Sequence, residues 1–141
     1  MKRFSLGILV VLFAGVAAGI ASPISLDKLM TVNVPFAFSV GKDSLPAGQY
    51  EVLAMFNTNL IWIKSPNGAQ VSVAGTIPSR ERKLSNGAAL VFTRYGDDYF
   101  LSQVLVPGQD AKVLHKSARE IEQERLAKAG NAGGVVVAGN R

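Results

Sequence analysis

His115 is the sole histidine of the chain, so any serine–histidine–acid relay would have to run through it. Ser117, its nearest hydroxyl, is too close in sequence to be the obvious nucleophile, and no Gly-x-Ser-x-Gly elbow is present. His115 therefore reads as a surface histidine just ahead of a helix. The chain has no cysteine. That removes disulfides, thiolate metal sites, cysteine nucleophiles and a lipidated cysteine at an export junction. Asp97 and Asp98 stand where a hairpin turn favours aspartate for its geometry. A calcium site needs about six oxygens or more, and no loop offers such a series. Glu51 and Glu81 are the only acids between residues 44 and 96. Glu51 falls on the outward face of its strand and Glu81 in a loop, so they make no credible acid–base pair. Gly48 and Gly87 are isolated and form no phosphate-binding loop. The expectation is a non-enzyme with no cofactor and no metal.

Two groups of residues remain that could bind something. Arg80-Glu81-Arg82-Lys83 is a local basic cluster able to meet an anionic lipid or an acidic glycan. A solvated loop is the plainer explanation and the one favoured. Trp62, Tyr50, Tyr95, Tyr99 and Phe100 supply aromatic surface for stacking on a sugar. Arg94, Tyr95, Asp98 and Tyr99 gather around one turn, although cross-strand aromatic pairing accounts for them without a ligand. The candidate patch is thus Arg80, Arg82, Arg94, Tyr95, Asp98 and Tyr99. Its partner classes are an envelope glycan, a lipid or a protein.

The elements that must carry these residues are mostly strands. Thr31 to Val40 alternates Val32, Val34, Phe36, Phe38 and Val40 with smaller or polar residues, the period of a half-buried strand. Pro35 within it cannot donate to a ladder and implies an edge or a bulge. Gly41 to Gly48 is turn material. Gln49–Phe56 is a second strand, with Tyr50, Val52, Ala54 and Phe56 on one face. Leu60–Lys64 is apolar on both faces and reads as central. Ser65-Pro66-Asn67-Gly68 is a strong reverse turn. The strand after it, Ala69–Ile77, is expected to turn Val71 and Val73 inward. Ala88–Tyr95 and Tyr99–Val106 form a tight hairpin around Gly96-Asp97-Asp98. Ala111–His115 reads as a short edge strand. Ser117-Ala118-Arg119-Glu120 is a capping box opening a helix, which Gly130 would stop. Glu124 and Lys128 are spaced for an ion pair on it. Ile121 and Leu126 lie about 140° apart around its axis, so the helix has no broad apolar face and should sit peripherally. Asn131–Arg141 reads as a flexible tail, with a short strand at Val135–Val137 as the alternative. Strands at this spacing imply an antiparallel sandwich or small open barrel of about six to seven strands with one C-terminal helix.

The chain has 141 residues, and 48% of them are apolar, enough for one domain with a modest core. Met1-Lys2-Arg3 is a basic start, Leu6–Phe13 an apolar run and Ala14–Ala21 a small-residue stretch. That order is the pattern of an export signal cleaved after Ala21, or alternatively after Ala18. Residues 4–21 could instead remain as an anchor, being just long enough to span a bilayer. The expected organisation is a signal peptide over 1–21, a β domain over 30–115, a helix over 116–130 and a tail over 131–141. Of the 15 basic residues, Lys2 and Arg3 leave with the signal, so 13 face 10 acids, an excess of +3. Nucleic-acid binding needs a stronger, clustered basic stripe. The product is expected to be periplasmic or extracellular, with no stable transmembrane segment after cleavage.

Val32–Val52 (VNVPFAFSVGKDSLPAGQYEV), Leu90–Val104 (LVFTRYGDDYFLSQV) and Ser117–Glu120 (SARE) occur in order. Across roughly residues 30 to 125 the chain resembles a family of small exported bacterial hypothetical proteins of unknown function. These share a VPFxF…LPAGxY opening and an RYGxxYFLxxV hairpin. The resemblance implies export and a β fold, and it assigns no activity, cofactor or catalytic residue. The functional expectation is a structural or binding role in the cell envelope or outside the cell. A carbohydrate- or lipid-binding module is one alternative, and a hydrolase with a dispersed site is another.

Overall fold

A computed structural model describes residues 25–55, 58–69, 71–82, 84–128 and 132–140. The expected signal peptide lies outside them, as do Phe56 and Lys83. Ten strands and one helix follow in order: β1 (Leu26–Val34), β2 (Phe38–Val40), β3 (Asp43–Leu45), β4 (Gly48–Met55), β5 (Leu60–Lys64), β6 (Val71–Ser79), β7 (Ala88–Tyr95), β8 (Asp98–Leu105), β9 (Ala111–Leu114), α1 (Ala118–Ala127) and β10 (Ala132–Asn140). The sheet runs β8-β7-β10-β1-β4-β5-β6-β9 and returns to β8, a closed barrel of eight strands. The fold is mainly β, as expected. It is a closed barrel rather than a sandwich or an open barrel, and it has more strands than six or seven.

Closure depends on two segments that the sequence places at the margins. Ala111–Leu114 is no edge: β9 pairs with β6 through Thr76–Leu114 and Ile77–Val113, and with β8 through Gln103–Val113. Residues 132–140, read as a tail, form β10. It pairs with β7 at eight successive positions from Ala132–Tyr95 to Gly139–Ala88, and with β1 at Thr31 and Val32. Its Val135 and Val137 pack against the core. A closed ladder satisfies the backbone groups that an edge would leave open, which compensates for a strand of so little side-chain mass. At this seam a Cβ on Gly139 would lie 2.8 Å from Met30 Sδ and 3.2 Å from Met30 Cβ, so the glycine permits the close approach of β10 to β1.

Pro35 divides the expected first strand instead of marking an edge. β1 ends at Val34, the chain bends at Pro35-Phe36, and β2 begins at Phe38 on a different partner, β8. The supposed loop Gly41–Gly48 includes β3, which pairs with β2 through Phe38–Leu45 and Val40–Asp43. Phe38, Val40 and Leu45 are all buried in the main core, with Phe38 edge-on to Phe92 at 5.3 Å. The β2–β3 hairpin therefore contributes apolar side chains to the core from outside the eight-strand wall.

Inside, Met30, Val32, Val34, Tyr50, Val52, Ile61, Ile63, Leu90, Phe92 and Val104 are fully buried. An eight-strand barrel is just wide enough for side chains to fill it, and these do. The expected facing of β6 is reversed. Ser72, Ala74 and Thr76 point inward, while Val71 and Val73 point outward at 48% and 45% exposure. Register with β5 sets this, because Ile63 pairs with Ser72 and Ile61 with Ala74. Two isoleucines on β5 take up the interior, and their neighbours on β6 must be small. The inward hydroxyls are bonded: Ser72 Oγ donates to Asp43 Oδ2 at 2.8 Å, and Thr76 Oγ1 to the Asn59 carbonyl at 3.0 Å.

Candidate functional site

The β7–β8 hairpin turns on Gly96-Asp97, since Tyr95 pairs with Asp98. Gly96 has φ +60°, a conformation that glycine adopts without strain. Arg94 and Tyr99 are cross-strand partners at this tip. The Arg94 guanidinium lies 5.5 Å from the Tyr99 ring centre, its Nε donates to the Gly96 carbonyl at 2.6 Å, and an Nη lies 3.7 Å from Asp97. Tyr99 also stacks on Phe36, with ring centres 3.9 Å apart, and Phe36 meets Phe92 edge-on. Tyr99 thus has Phe36 on its ring and the Arg94 cation beside it, a packed arrangement rather than an open platform.

Asp98 and Tyr95 turn the other way, toward α1. Ser117 caps this helix by accepting the Glu120 backbone N–H at 3.2 Å. The helix brings Arg119 down beside the hairpin. Arg119 donates to Asp98 at 3.2 Å and to Ser44 Oγ at 3.2 Å, with Ser39 Oγ at 3.5 Å, and its guanidinium lies 5.6 Å from the Phe100 ring centre. One side chain joins α1, β2, β3 and β8. These groups line a cleft of about 130 Å³ with Tyr99 and Asp97.

Glu120 is only 5% exposed. Burial pushes its carboxyl above the ordinary value, opposed by the Lys116 charge and by a hydrogen bond with Tyr95. The Tyr95 hydroxyl is raised too, by burial first and then by Glu120. Tyr95 itself is buried, edge-on to Phe100 at 5.7 Å. Lys116 binds Glu124 at 2.8 Å, so the direct contact of Glu124 comes from ahead of the helix, with the Lys128 charge acting on it as well. The Lys116 bond lowers the Glu124 carboxyl.

The structure therefore divides the expected patch. Arg94, Tyr95, Asp98 and Tyr99 share the hairpin, on opposite faces of the sheet. Arg80 and Arg82 follow β6 at the other end of the barrel, where Arg80 faces Asp110 at 3.8 Å. Asp110 lies in the turn beyond Leu105, and β8 is eight residues long, so the two groups stand roughly 20 Å apart. They do not form one surface. Arg119, Ser39 and Ser44 escaped sequence reading because only the packing of α1 against the β2–β3 hairpin brings them to Asp98.

Elsewhere, Glu51 is held by Lys28 at 2.7 Å and Lys64 at 3.5 Å, and the Lys28 bond lowers its carboxyl. His115 is exposed beside Gly75. Among the described residues no group of three or more histidine, cysteine or acidic side chains could hold a metal ion. A wider open groove of about 460 Å³ lies at the hairpin end between the Pro46–Tyr50 and Ser65–Ala69 turns.

A different surface stands out on the barrel wall. The outward positions of β4, β5 and β6 include Leu53, Met55, Leu60, Trp62, Val71, Val73 and Ile77, with Leu26 of β1 beside Met55. Leu53 pairs with Trp62, and Trp62 with Val73, so the row is continuous. Trp62 Nε1 is buried with no hydrogen-bond partner among the described residues. The expectation that β6 turned its valines inward hid this wall from sequence reading. No helix among the described residues is long and apolar enough to cross a membrane. No family model, curated protein or solved structure matches the chain.

Proposed function

We propose that the chain is an exported, non-enzymatic β-barrel protein with a structural or binding role in the cell envelope or the extracellular space. The observation that carries this reading is the outer wall of β4–β6. Both faces of these strands are apolar, and on the outer one Leu60, Val71, Val73 and Ile77 are 37–50% exposed while Leu53 is buried. Contiguous exposed apolar surface of this kind marks an interaction site more often than a solvated face. The basic start and apolar run at residues 1–21 support export, as does the resemblance to small exported proteins.

The hairpin reading is less well supported. A sugar-stacking module needs an open aromatic face, and Tyr99 is already packed against Phe36 and Arg94. The Arg119 cleft is small, and Asp98 already meets its cation.

Co-sedimentation of the exported protein with cell-wall sacculi, membranes and soluble extract tests the proposal. Saturable binding to sacculi or membranes is the expected result. Absence of binding to every fraction would overturn it.

A further inference from the structure

Resting on the envelope reading above, we propose that the outer wall of β4–β6 lies side-on against a lipid bilayer bearing anionic headgroups. Three observations point to lipid.

The first is the layout of the wall. Val73 and Ile77, 45% and 50% exposed, run along β6 beside the half-buried Trp62 and the exposed Leu60 of β5. This apolar strip has cations at both ends. Lys64 pairs directly with Val71 at one end, and Arg80, whose side chain is 89% exposed, follows Ile77 by three residues at the other, with Arg82 beyond it. Aliphatic side chains with a tryptophan between them, flanked by lysine and arginine, are the chemistry of a bilayer interface. The apolar groups enter the acyl boundary and the cations reach headgroup phosphates.

The second is where the chain enters the domain. The apolar run ending at Ala21 is joined to Leu26 by residues 22–25 alone, which span at most about 14 Å. Leu26 pairs with Met55, so it sits on this wall, at the end that also carries Leu60. While residues 4–21 remain in a membrane during export, the wall is tethered at the bilayer surface. The contact is peripheral, because α1 occupies the outside of the β7–β8 hairpin.

The third is charge, which disfavours a second copy of the chain. Packing this wall against its own copy about a two-fold axis would bring its rims together. The rim at the Lys64 end has two cations, Lys28 and Lys64, against the single acid Glu51, while at the other end Arg80 and Arg82 stand with Glu81 and Asp110. The excess at the Lys64 end opposes its like in a second copy and attracts anionic lipid.

The test is flotation of the protein recovered after export, its N-terminus established by mass, with vesicles of phosphatidylcholine alone or mixed with phosphatidylglycerol. Binding is expected to the mixed vesicles and to weaken with salt. The paired substitutions Val73→Ser with Ile77→Ser and Arg80→Ser with Arg82→Ser should each lower partitioning about tenfold. Val136→Ser, on the outside of β10, should leave it unchanged. Circular dichroism and urea midpoints establish that the variants fold. No flotation, or flotation that survives both paired substitutions, would overturn the inference. So would a dimer in sedimentation equilibrium that Val73→Ser with Ile77→Ser dissociates. Binding to sacculi without binding to vesicles would sink the lipid assignment and leave the envelope role standing.

Discussion

The outsides of β7–β8 and of β5–β6 are built alike and finished differently. On β7–β8 the outward side chains include Ala89, Val91, Tyr95, Phe100 and Leu105, every one buried. Leu84 from the preceding loop packs over Ala89, Val91, Leu105 and Ala111 as a second small core. Toward the hairpin, Tyr95 meets Glu120 and Phe100 meets Arg119. On β5–β6 an equally apolar row has no cover among the described residues. A barrel buries only its inner face by closing, so an apolar outer face must find a second layer. The chain supplies that layer on one side, and on the other no described residue supplies it. Stability should therefore be concentrated on β7–β8, and binding on β5–β6.

Phe100→Ala should have the largest effect, a loss of about 3–5 kcal/mol in urea unfolding, because it empties a fully buried site between the sheet and Arg119. A loss under about 1 kcal/mol would mean that α1 and its arginine are not the second layer described. Gly139→Ala comes next. The new Cβ would meet Met30 at the seam of the closed barrel, and overpacking of this kind costs about 1–3 kcal/mol. An unchanged urea midpoint would indicate that β10 does not close the wall in solution.

Glu120→Gln should act on pH dependence. A buried acid with a raised pKa holds its proton more tightly in the folded state than in the unfolded one. Its effect is that stability declines as pH rises from the ordinary glutamate value of 4.5 through the raised one. Glu51, Glu122 and Glu124 are lowered by hydrogen bonds from Lys28, Arg125 and Lys116, and their contribution is lost only as pH falls below the ordinary value. Urea midpoints measured from pH 4.5 to neutrality should fall less steeply in Glu120→Gln than in the parent. Identical slopes would count against the burial of this carboxyl between α1 and Tyr95 of β7. Val73→Thr should change stability least, within about 0.5 kcal/mol, since the side chain is half exposed. A loss above about 1 kcal/mol would show that the wall is already covered.

Much of the fold was legible where local chemistry is strong. Alternation located β4, the runs on either side of the Gly96-Asp97-Asp98 turn located β7 and β8, and Ser117 with Glu120 located the start of α1. Pro35 was legible as an interruption but not as the point where the chain changes partners. The facing of β6 was misread because Val71 and Val73 are more apolar than Ser72 and Thr76, and hydropathy alone puts valine inside. Of the candidate residues, Asp98 and Arg94 were found by their turn, while Arg119 is 21 residues away from Asp98 in sequence and carries no local signal.

The sequence by itself determined which segments extend, where they turn, where the helix begins and, with no cysteine, that the chain holds no disulfide. Tertiary structure alone decided that the glycine-rich residues 132–140 close the barrel and which face of β6 is inside. Both outcomes follow from pairing between distant strands. A strand of two small-residue faces takes its place from the ladders beside it, and the register with Ile61 and Ile63 on β5 leaves no room for valine within.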